Sequence, residues 1–246
     1  MNQKFAYILY KLIIFLDNVY FLITKKHLRF YLYDYLREKY INVKINDKNI
    51  KIFSPSSLAQ WRVETLYSKE PETLKWINGF KNNDEIIFWD IGANIGLYSI
   101  YAAVKNNKIK VIAFEPSTLN LNLLSRNISI NNLSDRIFIN QIALTDSSNQ
   151  FMPFKESTLI EGGALNSFGV NYNFEGKEYN VINQYRIFGN SIDFLLKNKI
   201  LDIPNYIKID VDGIEHLILK GAEDFLNDKK IESISIELNE NFKEQY

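Results

Sequence analysis

Side chains able to do chemistry gather where short apolar runs end. Asp90 closes "IIFWD" and is followed by Gly92, Asn94 and Gly96. Glu115 closes "VIAFE", and Lys208, Asp210 and Asp212 alternate in "YIKIDVDGIEH", with Glu215 just beyond. An acid followed by glycines at the end of a buried strand either closes a turn or faces a ligand, because open parallel sheets bind ligands outside the carboxyl ends of their strands. Glycine lets the backbone approach a ligand closely, and asparagine tolerates a left-handed conformation better than most residues. Glu115 suits the two hydroxyls of a ribose, since one carboxylate accepts both hydrogen bonds.

Two nucleoside ligands fit this layout. A dinucleotide wants G-x-G-x-x-G, with its phosphates on a helix N-terminus. Here the spacing is D-x-G-x-x-x-G, and a carboxylate stands in front of the turn. S-adenosylmethionine carries an ammonium and a sulfonium and no phosphate, so acids at positions 90 and 210 favour it on charge. The competing reading is that Asp90 and Glu115 only cap turns and helices. Lys208, inside an expected central strand, needs an anion, because lysine is rarely fully buried unpaired. Asp210, Asp212 or Glu237 would serve as a purely structural partner. In the functional reading, Lys208, Asp210, Asp212 and Glu215 form a cluster of charges that orients a bound substrate and tunes its proton. Asp212 and Glu215 also fit a D-x-x-E capping box for the helix from Ile214. His216 falls opposite the stripe of Ile214, Leu217, Ile218 and Phe225 and is expected to face solvent.

The elements that must position these residues alternate. Strands are predicted over 86–89, 110–114, 136–142, 206–209 and 233–238, and helices over 97–105, 119–131, 192–197 and 214–227. Such alternation implies an α/β fold with a mostly parallel sheet covered on both faces. Between about 147 and 190 it lapses into a stretch rich in Gly, Asn and aromatics, an insertion of extra strands and loops. Residues 1–60 precede this domain (61–246) as N-terminal helices and a β-hairpin over "INVKINDKNIKIF". Pro71 starts a helix rather than sitting inside one.

Composition narrows the function. Lys+Arg and Asp+Glu are both 29, which argues against a nucleic-acid-binding protein. With no cysteine and two distant histidines, neither disulfides nor a thiolate or histidine-rich metal site is expected. The apolar stretch Phe5–Ile23 carries Lys4, Lys11, Asn18 and Lys25 seven apart, a narrow polar stripe on a broadly apolar helix. The leading expectation is a helix packed on its own domain in a cytoplasmic protein. The second is a helix lying on a membrane through residues 5–29, helped by Lys25, Lys26 and Arg29; the third is a membrane span. No secretory cleavage site follows.

"FWDIGANIGLYSI", "AFEPSTLNLNLLSRNISINN", "ALTD" and "IKIDVDGIEHLILKGAEDFL" resemble, in order, the motifs of the FkbM family of S-adenosylmethionine-dependent methyltransferases. The resemblance covers about Trp61 to Leu238. It implies the Rossmann-like class I methyltransferase fold and O-methylation of a hydroxyl on a sugar, glycan or related metabolite. By the same resemblance Asp90, Gly92, Asn94 and Gly96 match the cofactor loop and Glu115 the ribose contact. Gln141–Leu144, with Ala143, would pass near adenine. The class I fold ordinarily continues past its fifth strand with a helix and a hairpin, whereas Tyr246 follows closely, so the chain is expected either to lack C-terminal strands or to complete the sheet differently. A nucleotide-dependent oxidoreductase and a non-catalytic protein with a degenerate methyltransferase fold are the alternatives.

Overall fold

The computed structural model describes residues 2–81, 85–178, 180–239 and 242, in two units, Met1–Tyr40 and Ile41–Tyr246. In the first, α1 (Asn2–Thr24) and α2 (Leu28–Arg37) form a helical hairpin. His27 precedes α2 without capping it by its own side chain. The cap comes from α1 instead: Asp17 Oδ1 accepts a 2.9 Å hydrogen bond from the Arg29 backbone N–H, and Oδ2 lies 2.9 Å from His27 Nδ1. Most of α1 is otherwise exposed, including Phe5, Ile8, Leu12 and Phe15. Within this unit α1 meets α2 only around Asp17 and Phe21, so the burial that a packed helix would show is absent along most of its length among the described residues.

In the second unit, β1 (Tyr40–Ile45) and β2 (Lys48–Phe53) make the expected hairpin, with Asn46 left-handed at its turn. Next come α3 (Ser57–Glu64) and α4 (Pro71–Asn78), the latter opening on its proline. The alternating core follows: β3 (Ile86–Ile91), α5 (Leu97–Lys105), β4 (Ile109–Phe114), α6 (Thr118–Ile130) and β5 (Ile137–Asn140). The insertion supplies β6 (Ala143–Leu144), β7 (Gln150–Glu156), β8 (Ser167–Phe168) and β9 (Asn183–Asn190). α7 (Ile192–Lys197), β10 (Tyr206–Ile209), α8 (Glu215–Lys220) and β11 (Ser233–Ile236) complete the described chain.

The main sheet is parallel, in the order β11-β10-β3-β4-β5. Every residue of β3 is buried, as its unbroken apolar run requires of a strand covered on both faces. Alternation sends Ile86 and Phe88 into one core and Ile87, Trp89 and Ile91 into the other. β11 is the outermost strand on its side among the described residues.

Three expectations are corrected. The strand predicted over 136–142 ends at Asn140, where the chain leaves the main sheet; the next strand, β6, begins at Ala143 and pairs in parallel with β9 of the insertion sheet. The helix predicted over 214–227 ends at Lys220. A Cβ on the next residue, Gly221, would stand 2.2 Å from the Thr145 carbonyl oxygen, and the chain turns there. His216 is half-buried against the Phe242 ring, centroids 5.9 Å apart, rather than facing solvent.

Asparagines tie the hairpin to the sheet domain. Asn127 Oδ1 accepts from Phe53 N at 2.7 Å, and its Nδ2 donates to the Ile95 carbonyl at 2.9 Å, joining β2 and α6 to the turn after β3. In that turn Gly92, Asn94 and Gly96 are all left-handed. A Cβ on Gly92 would lie 1.8 Å from the Asp210 carbonyl oxygen, so the close approach that demands glycine is to the neighbouring chain. Gly92→Ala should therefore lower stability by about 3 kcal/mol or more, the upper range for overpacking. Gly79→Ala, at an unstrained position, should cost less than about 1 kcal/mol. Urea denaturation of both variants checks the contrast, and equal midpoints would contradict it.

Candidate active site

Strand ends and insertion enclose a cleft of about 560 Å³, open to solvent. Gly92 and Asn94 supply one wall, Glu115 and Asn120 another, and Ala143, Phe168, Asp210 and Asp212 complete it. A second cleft, about 460 Å³, lies between α3 and α5 and shares Gly92, Asn94 and Asp210 with the first.

Glu115 is buried at the first cleft's wall. Its Oε2 accepts from Asn94 N at 2.7 Å and its Oε1 from Ser117 N at 2.8 Å. Burial pushes its carboxyl up, against those backbone N–H groups, to about 7. Asn94 donates its side-chain N–H to the Gly163 carbonyl at 2.9 Å, and Asn120 donates to the same oxygen at 2.9 Å. The insertion is thereby fastened onto the turn, and Arg62 adds a hydrogen bond from Nε to the Gly162 carbonyl at 2.5 Å.

Lys208 and the acids around it separate into three places. Lys208 is 3% exposed, with Nζ 2.7 Å from Asp210 Oδ2 and 3.9 Å from Asp90 Oδ1. It also lies 5.1 Å from the centre of the Tyr98 ring. Lys208 lines neither cleft. Burial pushes its ammonium down, but Asp210 and Asp90 outweigh this and hold the pKa above the usual lysine value. For Asp210, burial pushes the carboxyl up, but Lys208 and a hydrogen bond with Glu237 hold it down at about 2. Asp210 lines both clefts. Asp212 does not continue the alternation. The strand has ended, Asp212 is left-handed, and its Oδ2 accepts from Leu165 N at 2.7 Å. It lines the first cleft, where burial and then the charge of Asp210 push its carboxyl up to about 6.

Asp90, Gly96 and Glu215 do not reach the cleft walls. Asp90 shares the face of Phe88, fully buried, and its Oδ2 accepts from Ser99 Oγ at 2.5 Å. A Cβ on Gly96 would meet Leu124 at 2.5 Å, so this glycine brings α5 and α6 together. Glu215 accepts from Val211 N at 3.1 Å and Gly213 N at 3.0 Å, closing the turn after β10 rather than forming the expected reciprocal box with Asp212.

Arg62, Glu70, Tyr98 and Asn120 line the clefts without having been singled out from the sequence. Arg62 on α3 and Glu70 at the N-cap of α4 come well before the strand-end acids in the chain, whereas Tyr98 on α5 and Asn120 on α6 follow Asp90 and Glu115 closely, within the same motifs. Carboxylate oxygens of Glu70, Asp210 and Glu237 come within 4.8 Å of one another, an arrangement able to hold a cation. Lys69, 2.5 Å from Glu70, and Lys208 already supply positive charge there.

Residues 90–246 match the methyltransferase FkbM domain. The chain belongs to the FkbM methyltransferase family. It is 28% identical over 160 residues to methyltransferase sdnD of Sordaria araneosa, a match covering 55% of this chain and 60% of that one, so the FkbM chain spans less than two thirds of this relative's length. Among solved structures it is similar to precorrin-6Y C5,15-methyltransferase from Geobacter metallireducens (15% identity, 68% and 60% of the two chains, TM-score 0.39). It is also similar to M. capricolum TrmK in complex with S-adenosylhomocysteine (20%, 66% and 49%, TM-score 0.36).

In this FkbM protein, Lys208→Met should remove the buried ammonium between Asp90 and Asp210 and cost about 3–5 kcal/mol, the usual penalty for removing one partner of a buried pair. Asp90→Asn added to it should recover part of that loss, because one of the uncompensated charges is then gone. A double-mutant cycle by chemical denaturation measures the coupling, and simple additivity would contradict the pairing.

Proposed function

We propose that this FkbM protein transfers the methyl group of S-adenosylmethionine to a hydroxyl of a small-molecule or glycan acceptor. One observation carries the reading: Gly92 after β3, Glu115 after β4, Asp210 and Asp212 after β10, and Ala143 at the start of β6 line a single cleft. The residues present suit the cofactor. Glu115 accepts from Asn94 N, Ser117 N and the Asn120 side chain, which leaves acceptor capacity for a ribose hydroxyl. Phe114, Ile142 and Leu144 offer apolar walls for the base. Asn94 Oδ1 is buried without a hydrogen-bond partner among the described residues, an acceptor suited to an ammonium. Asp210 and Asp212, ionised at neutral pH, give the cleft a charge that would repel the phosphates of a dinucleotide.

S-adenosylmethionine, when bound, supplies a methyl carbon on a sulfonium leaving group that an oxygen nucleophile displaces in one step. Because that carbon is already activated, much of what the chain contributes is alignment. An alcohol is a poor nucleophile while protonated, and Asp212 is the group we assign to take its proton. It is at the wall, its pKa of about 6 leaves it ionised at neutral pH, and its Oδ1 is not the oxygen held by Leu165. Asp210, anchored by Lys208, keeps a fixed negative charge beside it. The amides Asn120 and Asn166 and the rings Phe154 and Phe168 suit a sugar, which presents hydroxyls at its rim and C–H faces to aromatics.

Calorimetry with S-adenosylhomocysteine and with NAD separates the readings. Binding of the first alone is expected; NAD alone would favour an oxidoreductase, and neither a non-catalytic protein. With tritiated S-adenosylmethionine and a panel of glycosides, turnover on the acceptor that takes label should rise with pH through about 6, as Asp212 loses its proton. Asp212→Asn should remove that limb and lower kcat about 10²-fold. The same variant should melt no lower than the wild type at pH 7.5. A carboxyl whose folded pKa is raised is destabilising when ionised, a cost that grows as pH rises from about 4 to 6. A flat pH profile in the wild type would remove Asp212 from the mechanism.

A further inference from the structure

We propose that the N-terminal hairpin seats the protein on an anionic lipid bilayer, with α1 lying in the plane of the interface rather than crossing it. The observation is α1 itself. Residues Gln3–Thr24 form one helix apolar and long enough to cross a membrane, about 33 Å, yet only 6% of its most apolar window is buried. Phe5, Ile8, Phe15, Leu22 and Ile23 are each more than 60% exposed. A continuous apolar surface of this size on a folded chain marks an interaction site.

Charge identifies the partner. Residues 1–40 contain seven Lys or Arg against three Asp or Glu, in a chain whose total charge is zero. One of those three acids, Asp17, is buried against His27 and Arg29. What faces outward is therefore basic beside apolar, the combination that binds negatively charged headgroups while burying side chains among acyl chains. Exposed tyrosines on both helices, among them Tyr7, Tyr10, Tyr31 and Tyr35, belong at the same depth.

The clamp decides the orientation. Asp17 caps the N-terminus of α2, and His27 stacks on Phe21 with ring centroids 4.5 Å apart, so α2 returns alongside the end of α1. If α1 crossed the bilayer, Arg29, Asp34 and Arg37 of α2 would be drawn in beside it. Lys11, about 14 Å from the helix start, would reach the middle of the hydrocarbon. Lying flat removes both difficulties. Lys4, Lys11 and Asn18 recur every seven residues and form one exposed stripe, which can face the headgroups while the side carrying the exposed Phe5, Leu9, Leu12, Leu16 and Ile23 is submerged; Ile8, Phe15 and Leu22, each four residues on from a stripe member, border it.

The test uses the full chain, sedimented with vesicles of phosphatidylcholine alone or of phosphatidylcholine and phosphatidylglycerol at about three to one. Binding should be at least tenfold tighter to the anionic vesicles at low salt. The exposed pair Lys25→Glu/Lys26→Glu should lose at least tenfold while S-adenosylhomocysteine affinity is unchanged. The native chain has no cysteine, so single substitutions from Phe5→Cys to Leu16→Cys can each carry a nitroxide. In-plane seating predicts that their depth oscillates with the helical period. A depth that rises to one maximum along the helix would mean a span and overturn the orientation. Failure to pellet, equal binding to neutral vesicles, or a lipid-free dimer that buries the same labels would overturn the lipid partner.

Discussion

The ammonium of Lys208, buried in the sheet between Asp90 and Asp210, is the interaction on which the arrangement of the cleft depends. Lys208 stands beside Asp90 across the β3–β10 pair and shares a strand face with Asp210, so one charge binds the two strands at the level where both are about to end. Burying an ammonium is costly without anions, and the carboxylates are costly without it. The group is therefore stable only when complete. Its completion fixes the Asp210 backbone, whose carbonyl lies so close to Gly92 that no other residue fits there. The turn of Gly92, Asn94 and Gly96 inherits its course from that contact, and Glu115 then receives the Asn94 N–H.

The insertion depends on the same turn. Gly163 offers its carbonyl to both Asn94 and Asn120, while Asn120 Oδ1 accepts from Gly162 N at 2.9 Å. Leu165 N–H is held by Asp212 from the other side. The segment that walls the cleft is thus pinned by residues that also face its interior. The unpaired oxygen of Asn94 and the raised carboxyls of Glu115 and Asp212 are local costs, of the kind a protein retains where a ligand or a proton is to be handled.

Much of this was legible in the residues. Unbroken apolar runs ending in acids gave the parallel sheet and placed Glu115, Asp210 and Asp212 at one edge of it. Alternation, applied strictly, also puts Asp90 on the face of Phe88, under α5 and away from the cleft. The reading of a ligand-facing acid followed from its type rather than from its phase. Alternation failed at Asp212 for the opposite reason: it holds only while the strand lasts, and the left-handed turn after Ile209 ends it. Glu215 carried a capping signal, but its partners are the N–H groups of Val211 and Gly213, which only the observed turn brings within reach. Arg62 and Glu70 were invisible because they precede the motifs in the chain and are placed by packing; Tyr98 lies inside the motif that follows Asp90, and only the fold shows its ring beside the Lys208 ammonium. The early end of α8 falls at Gly221, a poor helix former and so a stop the sequence does carry; what it does not show is the Thr145 carbonyl, which leaves no room for a Cβ there.

Photocrosslinking tests the central claim most directly, namely that the strand-end cleft organised by Lys208 is where the methyl donor sits. The protein would be irradiated with tritiated S-adenosylmethionine, with and without excess S-adenosylhomocysteine, and the labelled peptides mapped. The account predicts competable label confined to peptides containing Gly92–Asn94, Glu115–Asn120, Ile142–Leu144 or Asp210–Ile214. Competable label at the opposite strand ends, around Lys108, Arg136 and Phe138, would contradict it.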